Sequence, residues 1–153
     1  MMHAPELKLV CEIDAELAPP IEKGRGPGLV WRIIPIIGGT VTGARLSGTV
    51  MNLGADWQTV YDVGYAELDT RYGIETHDGA VIDVRNFGYR HGPPDVLARL
   101  AAGEPVDPSL YYMRTHPRLQ SGDPRYDWVN RTIFLGTGER RASSVRIGLF
   151  EVL

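Results

Sequence analysis

The residues whose types could do chemistry fall in four short segments. Gly54-Ala55-Asp56-Trp57-Gln58 sets a carboxylate beside a large aromatic at the start of a strand. Leu68-Asp69-Thr70-Arg71-Tyr72 runs on to His77-Asp78-Gly79, and Tyr111-Tyr112-Met113-Arg114-Thr115-His116-Pro117 puts a cation among aromatics. The fourth is Tyr126-Asp127-Trp128-Val129-Asn130. An arginine stays charged and offers a planar fork of donors, suited to a carboxylate or an enolate. An aspartate beside it can serve as general base, because burial raises its pKa and a nearby arginine lowers it. The expected catalytic residues are therefore Asp56 and Arg114. The expected ligand-binding residues are Trp57, Arg71, Tyr112, Trp128 and Asn130, as walls and hydrogen-bonding groups of a small-ligand pocket.

Each residue also has a plainer reading. Asp56 can cap a turn through its own backbone. Arg71 can pair with Asp69 or Glu67 on a solvent face, where such pairs contribute little. Trp57 and Trp128 can be core residues. Side chains alternate along a strand, so Glu67, Asp69 and Arg71 share one face, and Tyr112, Arg114 and His116 share one face. Which face turns inward is left open. His116 stands before Pro117 and is expected to end its strand.

The elements that must carry these residues read mostly as strands. They are Leu7 to Leu17, Leu29 to Ile37, Ala44 to Asn52, Thr59 to Val63, Gly64 to His77, Ala80 to Arg90, Leu110 to Thr115, Val129 to Gly136 and Ser144 to Val152. Lys23 to Gly28 reads as a loop. Gly38-Gly39, Asp78-Gly79 and Gly136 to Glu139 read as turns. Pro35 implies an edge or a bulge in its strand. Pro93-Pro94-Asp95 opens the one expected helix, Asp95 to Ala102, closed by Gly103. About eight to ten strands at regular spacing predict an all-β fold, a closed antiparallel barrel with one short helix covering an opening. A barrel of about eight strands is just wide enough for one small ligand.

The 153 residues fit one barrel domain spanning 1–153. A net charge of −3 and scattered basic residues argue against a nucleic-acid partner. Basic residues do not cluster with aromatics along one strand, which also argues against single-strand binding. The longest apolar runs are too short to span a bilayer, so no membrane partner is expected. The sole cysteine, Cys11, lies in an apolar run, which suits a packing role and a reducing, cytoplasmic setting. His3, His77, His91 and His116 lack metal-ligand spacing, and no phosphate loop, zinc motif or nucleophile elbow occurs, so no metal or cofactor is expected.

In their order, G-A-D-W-Q, L-D-T-R-Y, D-G, Y-M-R-T-H-P and Y-D-W-V-N resemble the family known as domain of unknown function 3237. The resemblance spans about Leu7 to Leu153, with G-A-D-W and D-x-R-Y its specific parts. It implies a closed, calycin-like β-barrel similar in architecture to allene oxide cyclase, and it supplies no activity. The expected function is a small-molecule-binding barrel, acting without cofactor on a small organic acid or carbonyl compound by proton transfer, isomerisation or cyclisation. The alternatives are a non-catalytic carrier or sensor of a small apolar acid, and a structural module that forms homo-oligomers.

Overall fold

A computed structural model describes residues 1–153. Ten strands belong to one antiparallel sheet: β1 Leu7–Leu17, β2 Ile21–Gly26, β3 Leu29–Thr42, β4 Gly48–Val50, β5 Ala55–Tyr61, β6 Tyr65–Thr76, β7 Val81–His91, β8 Tyr112–Gln120, β9 Phe134–Arg140 and β10 Ser144–Val152. The order β1-β10-β9-β8-β7-β6 continues through β5 to β3, and β3 pairs back with β1, so the sheet closes on itself. Eight strands make the closed barrel. Of the other two, β4 occupies the slot beyond β5 between β3 and β6, and β2 folds back on the start of β3. No helix is long and apolar enough to cross a membrane.

Alternation fixes what fills the barrel. Along β7 the even residues Ile82, Val84 and Asn86 are buried, and the odd residues Arg85, Phe87 and Tyr89 are exposed. On β8 the parity reverses: Met113, Thr115, Pro117 and Leu119 are buried, and Tyr112, Arg114, His116 and Arg118 are exposed. One end of the lumen is packed by 19 buried residues, among them Ile13, Ile74, Ile82, Leu119, Phe134 and Leu149. A smaller cluster of Ala66, Leu68, Val96, Val106, Tyr111 and Met113 packs the other end. Cys11 sits in the larger cluster, where burial first and the charge of Glu12 second push its thiol up to about 12. That is a packed, unreactive thiol.

The helix α1, Pro94–Ala101, starts with proline in its first turn, carries Asp95 early and Arg99 late, and stops before Gly103. It packs Val96 into the smaller cluster and lies over that mouth of the barrel, as the expected cover. The Asp78-Gly79 turn joins β6 to β7 as expected. Several expectations are corrected. Lys23 to Gly28 is largely strand β2, and Ala44 to Asn52 shrinks to β4. Gly136 to Glu139 lies inside β9, and much of Val129 to Gly136 belongs to a 3-10 segment, Pro124–Arg131.

Gly38-Gly39 is no turn either: it continues β3 past β1. Gly39 has φ +135°, and a Cβ there would stand 2.0 Å from the Asp14 carbonyl oxygen. Only glycine permits that conformation and that approach of two backbones. Pro35 sits where β3 passes from β2 to β1 as neighbour, so its missing N–H interrupts neither ladder. Pro117 does not end β8. The β8–β9 ladder covers only Arg114 and Thr115, so Pro117 lies on a stretch without that neighbour.

Candidate active site in the barrel lumen

Between the two apolar clusters lies a polar layer built by five strands. Asp56 and Gln58 come from β5, Thr70 from β6, Asn86 and Arg90 from β7, Thr115 from β8 and Arg140 from β9. They face a chamber of about 40 Å³. At roughly 10–15 Å³ per water-sized group, it admits something the size of a carboxylate. Arg90 and Arg140 also line a wider mouth of about 280 Å³, whose walls are Arg32, Val60, Tyr61, Tyr65 and, from α1, Leu97 and Leu100. The rings of Tyr61 and Tyr65 stack there at 4.6 Å.

Asp56 is held by a break in the sheet. The β5–β6 ladder pairs Asp56 with Thr70 and Thr59 with Glu67, and has no pair between. The amide of Asp69, freed there, donates to Asp56 Oδ1 at 3.0 Å. Gln58 Nε2 donates to Asp56 Oδ2 at 2.7 Å, while Gln58 Oε1 accepts from Arg32 Nε at 3.0 Å. Burial raises the Asp56 pKa above its ordinary value; hydrogen bonds from Gln58, Thr70 and the Asp69 amide, and the charge of Arg90, oppose that rise without cancelling it. The carboxyl is thereby brought nearer to the range of a general acid or base at neutral pH.

Arg90 is the least compensated group in the molecule. Its Nη1 is sealed from solvent and has no hydrogen-bond partner in the protein. Burial, then the charges of Arg32 and Arg140, lower its pKa to about 10, so it stays protonated at neutral pH. Asn86 Oδ1 and Thr115 Oγ1 are equally buried and equally unpartnered. Leaving such a group unsatisfied costs about 1–3 kcal/mol, more when it is charged. Arg140 is lowered too, by burial and by Arg32; its Nη1 donates to the carbonyl of Ser144 at 3.0 Å. Arg90 and Arg140 thus act on one carboxylate, Arg32 reaches it through Gln58, and the site carries a positive excess. The structure groups no three His, Cys, Asp or Glu side chains that could hold a metal ion.

Of the residues expected from sequence, the lumen takes Asp56. Arg71 points outward and pairs with Asp83 at 3.2 Å. Arg114 points outward, donates to its neighbour's carbonyl, Met113 O, at 2.9 Å, and lies over the exposed Tyr112 ring. Tyr112 itself stacks on His91 outside the barrel. Trp57 is 46% exposed and lines an outer depression with Trp31 and Phe87. Trp128 packs against the larger core cluster beneath Arg45, 3.9 Å from its ring. Asn130 is exposed and staples the 3-10 segment to Ser121 by two hydrogen bonds of 2.8 and 2.9 Å. Convergence of Arg71 and Arg114 on Asp56 is therefore corrected, and strand parity is the reason: both occupy outward positions of β6 and β8. The arginines that do flank Asp56 are Arg32, Arg90 and Arg140. A signal for Arg90 exists in the sequence, since it shares parity with Ile82 and Val84, the most apolar face of its strand.

A small closed β-barrel with a largely apolar chamber that two arginines and an aspartate reach, under a helical cover, is the class that this fold and site define. The chain belongs to the family described as "Protein of unknown function (DUF3237)", whose model matches residues 5–152. It is 43% identical over 148 residues, 97% of either chain, to a UPF0311 protein of Rhodopseudomonas palustris strain TIE-1. A crystal structure of a conserved protein of unknown function from Rhodopseudomonas palustris superposes over 100% of both chains with TM-score 0.93 at 42% identity. A β-barrel-like protein from Acinetobacter baumannii AYE does so with TM-score 0.84 at 38% identity, again over 100% of both chains. The crystal structure of an enzyme from Penicillium herquei matches at TM-score 0.77 and 17% identity, over 100% of this chain and 98% of that one, a likeness of fold alone.

Proposed function

We propose that the lumen binds a small organic anion, with Arg90 and Arg140 holding its carboxylate or enolate oxygen and Asp56 exchanging a proton with the bound molecule. One observation carries this reading: a buried, charged, partnerless Nη1 beside the partnerless Asn86 Oδ1 and Thr115 Oγ1. An anionic oxygen on the chamber side of the guanidinium would compensate its charge, and a small turn of Arg90, Asn86 and Thr115 would bring their unpartnered atoms to the ligand. The mouth, walled by Val60, Tyr61, Tyr65, Leu97 and Leu100, suits an apolar body attached to the anionic head. In the reaction, the ionised Asp56 takes a proton from a carbon next to a carbonyl. The electron pair moves to the carbonyl oxygen, where the guanidiniums stabilise the enolate charge. The proton then returns to the same or another atom, which gives exchange or isomerisation with no cofactor. That one fold-mate, from Penicillium herquei, is an enzyme is in keeping with a catalytic use of such a barrel.

Phenylpyruvate has the three required features: a carboxylate, an apolar body and an acidic C–H beside a carbonyl. In deuterated buffer, the wild-type chain is expected to speed exchange of its benzylic protons, and Asp56→Asn to lose about 10²–10⁴-fold of that acceleration. Exchange that is no faster than in buffer, with phenylpyruvate bound, would leave the binding role without the catalytic one. A second reading rests on Asp56 itself: both its oxygens already accept hydrogen bonds, as in a group that orients its neighbours. In that reading the barrel is a non-catalytic carrier, and the same ligand is recovered unexchanged.

A further inference from the structure

We propose that the outer face of β6, β7 and β8 docks a second copy of this chain, β7 against β7, about a two-fold axis running along that strand. This face lies on the outside of the barrel and shares only Tyr65 with the mouth of the lumen, and the inference stands whether or not the lumen binds an anion.

The sheet register lays out the outer face in rows. From the His91 end they are Tyr65–His91–Tyr112, Glu67–Tyr89–Arg114, Asp69–Phe87–His116, Arg71–Arg85–Arg118 and Gly73–Asp83–Gln120, with the β7 residue central in each. Phe87 and Tyr89 are 44% and 48% exposed and lie on the centre line. Tyr, Phe and Arg are the residue types enriched where protein interfaces are buried. On the β6 side the face runs into the outer depression lined by Trp31 and Trp57.

A two-fold axis along β7 exchanges β6 with β8 and leaves each row facing itself. Glu67 then faces Arg114 of the partner subunit, and Arg114 faces the partner's Glu67. Asp69 faces His116 of the partner subunit, and Tyr65 faces the partner's Tyr112. Phe87 and Tyr89 meet their own copies. The three rows from Tyr65 to Asp69 are complementary in charge, hydrogen bonding or aromatic character. The arginine row repels; the next row is Gly73–Asp83–Gln120, and its Asp83 is already paired with Arg71. An axis across the strands would instead put Asp69 against the partner's Glu67, like against like. The charges thus select one axis. Within its own chain Arg114 donates only to the Met113 carbonyl, and β7 separates it from Glu67. Opposed charges across an interface fix register and suppress wrong pairings.

Sedimentation equilibrium on the full chain tests this. Wild type is expected to be a dimer. Glu67→Arg and Arg114→Glu should each weaken it by about tenfold or more. The double variant E67R/R114E should restore it, which requires the two residues to face each other across the contact. Phe87→Glu should give a monomer whose circular dichroism matches wild type and whose melting temperature, unlike that of wild type, does not rise with protein concentration. A wild-type monomer at every concentration overturns the proposal, as does a double variant no better than the single ones. So does a monomer that retains a single-stranded oligonucleotide through Arg114, which would assign the face to nucleic acid instead.

Discussion

At the scale of residues, one buried guanidinium matters most. Arg90 has a sealed Nη1 with no partner, so its own charge contributes little to holding the fold together. Burial and the charges of Arg32 and Arg140 outweigh the attraction of Asp56 and lower the Arg90 pKa overall, so the fold gains from losing that charge more than it loses. Arg90→Met is therefore expected to melt no lower than wild type and to bind benzoate at least about tenfold more weakly, as read by calorimetric titration. Loss of the fold, or unchanged benzoate affinity, would contradict the role given to it. The same change acts on Asp56. The charge of Arg90 lowers the Asp56 pKa, so in Arg90→Met that carboxyl should titrate at higher pH, observable by NMR.

Asp56 also links the site to stability. Its folded pKa lies above the ordinary 3.8, so between those two values the folded chain binds more protons than the unfolded one. Stability then falls as pH rises through that window, because the unfolded state gives up the proton more readily. Asp56→Asn cannot ionise. Wild-type stability relative to the variant should therefore decrease from acid to neutral pH, as thermal melts across that range would measure. A relative increase would mean that the carboxylate is better solvated in the lumen than its burial implies.

At the scale of elements, inward-facing glycines set how closely the strands wind. Gly88 lies on the inner face of β7, where a Cβ would stand 2.1 Å from the Arg114 carbonyl oxygen and 2.6 Å from Thr115 Cγ2. Gly88→Ala must push β8 aside and is expected to cost about 1–3 kcal/mol, read from denaturant unfolding. Such glycines are why part of the strand pattern is hard to read from sequence. Gly38-Gly39 and Gly136 to Glu139 have turn composition, yet they lie within strands where two backbones or a large side chain come close. Elements without that complication were legible: Leu7–Leu17 and Ser144–Val152 run as expected, and the Asp78-Gly79 turn and the Pro94 helix start lie where their residue types place them.

At the scale of the whole molecule, closure was legible and the inward face was not. Many strands, regular turns and one helix point to a barrel, and the sheet does close. Parity failed because the outer wall is also apolar. Trp31, Trp57, Phe87, Tyr89 and Leu135 are all 39% exposed or more, so hydrophobicity alone does not say which face is the core. Asp56 was reachable from its type and neighbours. Arg90 required counting along β7 from Ile82, and Arg32 and Arg140 required knowing that β3 and β9 bring them over the same mouth. A ligand that binds only the folded barrel must also stabilise it as a whole. Benzoate should raise the melting temperature in a concentration-dependent way, and the rise should vanish in Arg90→Met.

The most direct measurement is a crystal structure of the chain grown with 4-bromobenzoate, read through the anomalous signal of bromine. The account predicts a bromine peak in the mouth between Tyr65 and Leu100, with the carboxylate turned inward onto the Arg90 guanidinium. Bromine found only on the outer wall by Trp57 and Phe87, with the lumen closed to the compound, would contradict it.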